Sequence, residues 1–507
     1  MKNQLRLGII LSYVNLGISA IIPFLYTPIM LEMLGQSEYG LFSLSNSVVG
    51  YLSLLNFGFG STIIRYIAKY KAQNKYKEIE DSFGFFIILY CILATAVFLI
   101  GFILSNNVDL IFKQGLTIDE IEKMRTLVLI MTINVAISFP ISVFSSVAIA
   151  YEKYFFRKTM DIISTVAAPV MNLIALYLGL KSVGMAFVST IIQCCLAPVS
   201  IYYCVRVIKI KPRFVKMNTG IIREMLGFSV FVFIGTIVDM LFWATDKVIL
   251  GMLASSVAVA IYNVGGTFNN IVMSVSQSIS SVFTPRISGM VATNNDKSEL
   301  SKLLIRIGRI QFLIIALIVS GFTVFGQSFI FLWAGPEYCD AYWITVLTMF
   351  PMCVPLIQNI ALSTVVAQNK HKFRSIVYLI IAIINVIGTY LIVPYMGIIG
   401  AALCSCIAYI LGQGFIMNIY YYKVIGLNIP LFWKNIIKMS IIPATMLFVG
   451  LLINRKIVID NWIFFFIGVI SFSLIYSILM YLFVMNDFEK DLIRKPINKI
   501  TGIIRRK

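Results

Sequence analysis

Apolar positions in this chain come in runs too long for a soluble core. A helix that crosses a bilayer needs about 20 mostly apolar residues. About fourteen such runs are legible: 7–31, 40–63, 83–105, 127–150, 161–180, 184–205, 226–250, 257–281, 310–332, 342–367, 376–395, 397–419, 438–454 and 463–485. Two of the turns between them are short, Leu180 to Val183 and Pro394 to Met396. The first run is too long for the apolar stretch of a signal peptide and lacks a small-residue cleavage site, so it reads as the first span. The pattern predicts an all-α integral membrane protein.

The polar positions between the runs carry a second signal. Lys and Arg collect in alternate segments: Lys2 and Arg6, Arg65 to Lys77, Lys153 to Lys158, Arg206 to Arg223, Arg286 to Arg309, Lys370 to Arg374, Lys423 to Lys438, and Lys490 to Lys507. These hold 34 of the 41 basic residues. Basic residues stay on the cytoplasmic side, so both termini are expected there. A net charge of +19, which in a soluble protein would point to nucleic acid, is here an orientation signal, and no nucleic-acid partner is expected. With 59% apolar and 12% charged residues, against about 25% charged in a soluble domain, composition agrees with the pattern.

Little here supports enzyme chemistry. The longest loops, near 106–126 and 206–225, are too short for a catalytic domain. There is no Gly-Lys dipeptide and hence no Walker A loop. One histidine argues against a His-based metal site or general base. The eight cysteines lie in apolar runs except Cys339, and no disulfide is expected. No cofactor and no metal are expected. Asp119, Glu120 and Glu122 in an outer loop read as a solvated face.

Three pieces of the chain recur at offsets near 215 residues. Ala150, Lys153, Phe156 and Arg157 parallel Ala367, Lys370, Phe373 and Arg374; Asn172, Tyr177 and Leu178 parallel Asn385, Tyr390 and Leu391; Arg65 and Arg286 each close the second helix of a half. Such repeats mark two-bundle transporters. The expected domains are six-helix bundles at 1–215 and 216–425, related as parallel repeats around a central cavity, two further helices at 426–485, and a basic cytoplasmic tail at 486–507.

Polar groups inside a bilayer are costly, so their positions point to function. Ser43, Asn46, Gly50, Ser53, Gly60 and Ser61 share one face of the second helix, and Tyr262, Gly266, Asn269 and Asn270 do likewise in the second half. Asn15, Tyr26 and two prolines make the first helix polar and bendable. The candidate substrate cavity is Asn15, Tyr26, Asn46, Ser53, Trp243, Tyr262, Asn269 and Asn270; helix–helix packing is the competing reading. The seventh span carries Asp239, Trp243 and Asp246 on one face, with Lys247 bordering it. Asp239 and Asp246 are candidate ion-coupling carboxylates; alternatively Asp246 and Lys247 form a solvated pair at the rim, with Lys247 snorkelling. Arg65, Arg286, Arg157 and Arg374 are candidates for a phosphorylated headgroup as well as simple orientation signals.

Leu34-Gly35-x3-Tyr39-Gly40-Leu41 after Tyr26-x-Pro28, then Arg65-Tyr66, resembles the opening of bacterial polysaccharide transporters. These are the O-antigen and capsule flippase branch of the multidrug/oligosaccharidyl-lipid/polysaccharide exporter superfamily. Trp243-Ala-Thr-Asp246-Lys247, Ala260-Ile-Tyr262 and Gly397-x2-Gly400-Ala401-Ala402 are similar to that branch too. The resemblance implies movement of undecaprenyl-diphosphate-linked oligosaccharide from the inner to the outer leaflet of the bacterial cytoplasmic membrane. It implies membrane lipid and other polysaccharide-assembly proteins as partners. Two alternatives stand beside it: a cation-coupled multidrug exporter of the same fold, and a membrane glycan polymerase.

Overall fold

A computed structural model describes residues 2–215, 219–293, 296–455, 459–492 and 494–495, and the described residues contain helices and no strand. The chain forms two compact units, one of residues 1–263 with 386–401, the other of residues 264–385 with 402–507.

The first unit contains α1 (Lys2–Leu52), α2 (Phe59–Ala72), α3 (Tyr76–Asn106), the short α4 (Val108–Phe112), α5 (Ile118–Ala150), α6 (Tyr154–Tyr177), α7 (Lys181–Tyr202), α8 (Thr219–Trp243), α9 (Thr245–Leu253) and the start of α10 (Ser256–Ser281). Polar caps set some of these starts. Thr117 accepts from the Glu120 amide while the Glu120 carboxylate accepts from the Thr117 amide, a capping box that begins α5. Side-chain size sets the packing of α3 on α5: a β-carbon on Gly101 would lie 2.2 Å from the Thr132 methyl, the close approach that small residues allow between membrane helices. Phe83, Phe86 and Tyr90 are fully buried in this unit, and the Tyr90 hydroxyl donates to Asn56 Oδ1 at 2.5 Å.

The second unit contains α11 (Thr284–Thr293), α12 (Lys297–Ala334), α13 (Ala341–Ile357), α14 (Asn359–Ala367), most of α15 (His371–Tyr409), α16 (Met417–Tyr420), α17 (Ile429–Asn454) and α18 (Trp462–Phe483). Val324, Met439, Met446, Phe472, Tyr476 and Met480 form a core joining α12, α17 and α18. Arg309, counted among the basic residues of a cytoplasmic segment by position, is buried. Its guanidinium makes two bonds to Glu489, at 2.6 and 2.9 Å, and donates to the Val484 carbonyl at 3.1 Å. The fork geometry of Arg suits a carboxylate, and a buried charge needs such a partner.

Among the described residues nine helices are long and apolar enough to cross a membrane, ten if the α13–α14 pair, bent by 50°, counts as one crossing. The difference from about fourteen runs has physical causes. The stretches Gly17–Ala72 and Lys372–Ile425 hold 56 and 54 residues. At 1.5 Å per residue each is far longer than a bilayer core of about 30 Å, and each covers two of the runs. Inside them Gly35 (φ 75°) and Gly397 (φ 55°) break the helix in a backbone conformation that glycine takes without penalty. The run at 257–281 is α10, whose polar face lowers its hydropathy, and the run at 226–250 divides into α8 and α9, with several of its side chains outside the described residues.

Candidate functional site

The break at Gly35 releases three consecutive side chains toward three different helices of the first unit. Ser37 donates to Glu120 Oε1 at 2.6 Å. Glu38 is buried and accepts from Lys123 and Ser182, each at 2.5 Å. The Tyr39 hydroxyl accepts from Asn263 Nδ2 at 2.6 Å. The next residue, Gly40, sits where a β-carbon would lie 1.9 Å from the Ser256 carbonyl oxygen, so the start of α10 reaches α1 only because this side chain is absent. Ser256 Oγ in turn donates to Glu120. Glu120 is therefore not part of a solvated face: its carboxylate begins α5 and ties α1 to α10 within this unit.

A second polar group lies around α9. Asp246 is 1% exposed and accepts from the Tyr262 hydroxyl at 2.6 Å and from Thr389 at 3.3 Å. Thr245 pairs with the Tyr51 hydroxyl. The Lys247 ammonium donates to Asn263 Oδ1 at 2.8 Å. The neighbouring charges Asp246 and Lys247 thus turn to different partners instead of standing together in water at a rim, because consecutive helical side chains point about 100° apart. Asp246 is buried and Lys247 half-buried, which is tolerated because each has a hydrogen-bonding partner.

Lys247 and Asn263 open onto a cavity of about 360 Å³ within the first unit. Tyr26 and Met30 of α1 line it, as do Tyr39, Phe42, Ser43 and Asn46 beyond the Gly35 break, with Asn172 of α6 and Met185 of α7. Asn172 is 9% exposed, and its Oδ1 has no hydrogen-bond partner. Lys247 is the only charged group among the described lining residues. The cavity is a recess of mixed lining, with six neutral polar side chains and one positive charge beside Met30, Phe42 and Met185, set in a unit whose outside is apolar: Ile88, Ile92, Leu99 and Ile103 of α3 are exposed.

Of the residues expected at a cavity, Tyr26 and Asn46 line this one, and Tyr262 stands behind it on Asp246. Asn15 is half-buried in α1, and Ser53 is half-buried in a turn of 3-10 helix; neither is in the lining. Asn269 belongs to the second unit, where it is buried and donates to Thr348 at 2.6 Å, while Asn270 is exposed. The side chains of Trp243 and Asp239 lie outside the described residues. The four arginines do not line the cavity. Arg65 and Arg286 are exposed, Arg157 is paired with Asp161 at 3.0 Å and donates to Ser145, and Arg374 lies over the Tyr378 ring at 4.7 Å. Sequence reasoning passed over Tyr39, Asn172 and Asn263 as cavity residues and set Lys247 at the membrane interface. Tyr39 and Asn172 did carry a signal, as members of the Gly35 motif and of the internal repeat.

Comparison with known proteins gives the geometry a context. A family profile described as polysaccharide biosynthesis protein matches residues 5–291. An uncharacterised membrane protein of Methanocaldococcus jannaschii is 25% identical over 285 residues, which cover 54% of this chain and 55% of that one. The chain thus spans about half the length of the curated relative it matches. Among solved structures, the lipid II flippase MurJ in an inward closed conformation is similar with a TM-score of 0.73 and 18% identity, over 93% of this chain and 99% of that one. A transporter of the MOP superfamily from Pyrococcus furiosus is similar with a TM-score of 0.58 and 12% identity, over 84% of this chain and 96% of that one. At these identities the structural likenesses establish the fold. The profile covers more than half of the sequence, and the chain belongs to the polysaccharide biosynthesis protein family, with the all-helical membrane fold of the MOP transporters.

Proposed function

We propose that this protein is a flippase that moves undecaprenyl-diphosphate-linked oligosaccharide from the inner to the outer leaflet of a bacterial cytoplasmic membrane by alternating access. The observation that carries the reading is the recess around Lys247, with its cluster of amides and hydroxyls, inside an apolar helical unit. A glycan cannot cross hydrocarbon unshielded, since each unpaired polar group costs several kcal/mol there. A recess lined by amides, hydroxyls and one ammonium replaces its water. Family membership supports the glycan, and the likeness in fold to the flippase MurJ supports the lipid carrier.

In this proposal residues 1–215 and 216–425 are the rocking repeats, both termini face the cytoplasm, and Arg65, Arg157, Arg286 and Arg374 attract the diphosphate at the cytoplasmic mouth. Asp239 and Asp246 are the proposed coupling carboxylates. Export of cationic drugs is the weaker reading, because the charge lining the recess is an ammonium and repels such substrates.

Reconstitution into vesicles with lipid-linked glycan in the inner leaflet tests the proposal. Wild-type protein should bring the glycan to the outer leaflet, and Arg65→Ala and Asp239→Asn should slow it by about tenfold each, the effect of losing about 1.4 kcal/mol. Normal surface glycan after disruption of the gene would sink the flippase reading.

A further inference from the structure

The chain is held in place after its last long helix. The 22 residues of α18 span about 33 Å at 1.5 Å per residue, which matches a bilayer core of about 30 Å. Its end at Phe483 therefore lies at a membrane surface, and Tyr481 stands at the level where aromatic side chains collect. Terminal segments are poorly ordered unless tied down, and this one is tied. Asn486 and Glu489 cap each other: the Glu489 amide donates to Asn486 Oδ1 at 2.9 Å, and the Asn486 amide donates to the Glu489 carboxylate at 3.0 Å. Residues 487–492 are helical. The Glu489 carboxylate is buried on Arg309 of α12, which also donates to Asn435 of α17 at 3.3 Å. The Arg306 guanidinium lies 3.2 Å over the Phe488 ring.

These ties position charge. Lys490 and Arg494 share a helical face and converge on Tyr481. Arg494 Nε donates to its hydroxyl at 2.7 Å, and the two cationic groups lie 5.5 and 5.7 Å from its ring. Among the described residues neither has a carboxylate at ion-pairing distance: Asp491 pairs with Lys495 at 3.2 Å, and Asp487 is exposed. Like charges at this spacing repel, and a phosphate between them removes the repulsion. Beside them Leu482, Phe483 and Leu492 are exposed apolar side chains. The sequence after residue 495 adds Lys499, Arg505, Arg506 and Lys507 and no acid. We propose that the segment following α18 is an interfacial platform for anionic phospholipid, with Lys490 and Arg494 holding the headgroup phosphate beside Tyr481. A soluble anion would satisfy the cations alone. An anionic lipid also covers Leu482 and Phe483 with its chains, and each basic side chain near its surface adds to the attraction. The lipid is a resident of the membrane and not the cargo, so the proposal stands independently of the flippase reading.

The test uses full-length protein in detergent, titrated with phosphatidylglycerol or with zwitterionic phosphatidylethanolamine and read by native mass spectrometry. Phosphatidylglycerol should be retained about tenfold or more in preference, since each of the two cations is worth about fivefold. The double variant Lys490→Gln/Arg494→Gln should lose that preference. Lys75→Gln/Lys77→Gln removes the same charge from exposed positions at the turn between α2 and α3, and it should keep the preference within about twofold. On the unmodified protein, which removes any question of misfolding, vesicles of phosphatidylglycerol should slow acylation of Lys490 more than that of Lys75, compared with vesicles of phosphatidylcholine. Equal retention of the two lipids, a preference that survives in Lys490→Gln/Arg494→Gln, an equal loss in Lys75→Gln/Lys77→Gln, or equal slowing at the two lysines overturns the proposal. So does displacement of the lipid by millimolar inorganic phosphate, which would make the cations a site for a soluble anion.

Discussion

The two compact units each contain a recess, and the two recesses differ in kind. In the first unit about 360 Å³ is walled by Tyr26, Tyr39, Ser43, Asn46, Asn172, Asn263 and Lys247. In the second, a groove of about 750 Å³ runs between α12, α17 and α18, walled by residues such as Phe325, Val449, Phe464, Ile467, Phe472 and Leu479. The polar groups at the groove, among them Thr445, Asn454, Asp460 and Ser471, are few, and Asp460 is exposed. In the smaller recess Tyr39, Asn263 and Lys247 are held by specific partners, because an unsatisfied group in a bilayer is expensive. The larger one makes no such demand, since hydrocarbon is equally at home against Leu, Ile or a lipid tail. The contrast teaches where each recess is constrained: by hydrogen bonds around the first and by shape around the second.

The largest expected effect sets a carboxylate from each region side by side. Asp246→Ala removes the acceptor of Tyr262 and Thr389 and leaves Lys247 without its nearest counter-charge, which should cost about 3–5 kcal/mol in unfolding of the detergent-solubilised protein. Asp460→Ala should change stability by no more than about 0.5 kcal/mol. Similar losses for both would erase the distinction. A smaller effect should come from glycines. Gly40→Ala drives a β-carbon into the Ser256 carbonyl and should cost about 1–3 kcal/mol. Gly266→Ala in the second unit meets open space within α10 and should stabilise by up to about 1 kcal/mol; a loss there would show a constraint that the second unit is not expected to have.

The mildest test is chemical. Cys339, in the turn between α12 and α13, has its thiol pKa raised by burial first and by the Asp340 charge second. The thiolate is the reactive form, so labelling of intact cells by an impermeant maleimide should be slow at neutral pH and accelerate with rising pH, about tenfold per unit below the pKa. Labelling only after permeabilisation would invert the proposed topology.

Much of this architecture is written in the order of residue types. Helical membrane class follows from run length, because a bilayer imposes a minimum on every crossing. Gly35 and Gly397 could be picked out as motif members, though not as the breaks that they are, since glycine in an apolar run is equally compatible with close packing. The polar face through Ser43 and Asn46 pointed to the recess because helical periodicity fixes which side chains share a face. Periodicity stops at one helix, however. Tyr39 and Asn263 are 224 residues apart, and no local pattern tells that their side chains meet. The same limit left Lys247 between two readings: its distance from a span end suited snorkelling, and only the tertiary arrangement supplies Asn263. Arg309 was legible only as a basic residue of a cytoplasmic segment for the same reason, its partner Glu489 lying 180 residues on.

The interleaving of the two units bears on how the protein is made. Residues 386–401 belong with the first 263, yet the ribosome delivers them only after more than a hundred residues of the other unit. Asp246 waits for Thr389, 143 positions later, and Arg309 waits for Glu489 near the end. The first unit is incomplete until residue 401 has been made, by which point more than a hundred residues of the second already exist. Quality control during synthesis would therefore see incomplete polar clusters in both until Thr389 and Glu489 have been made.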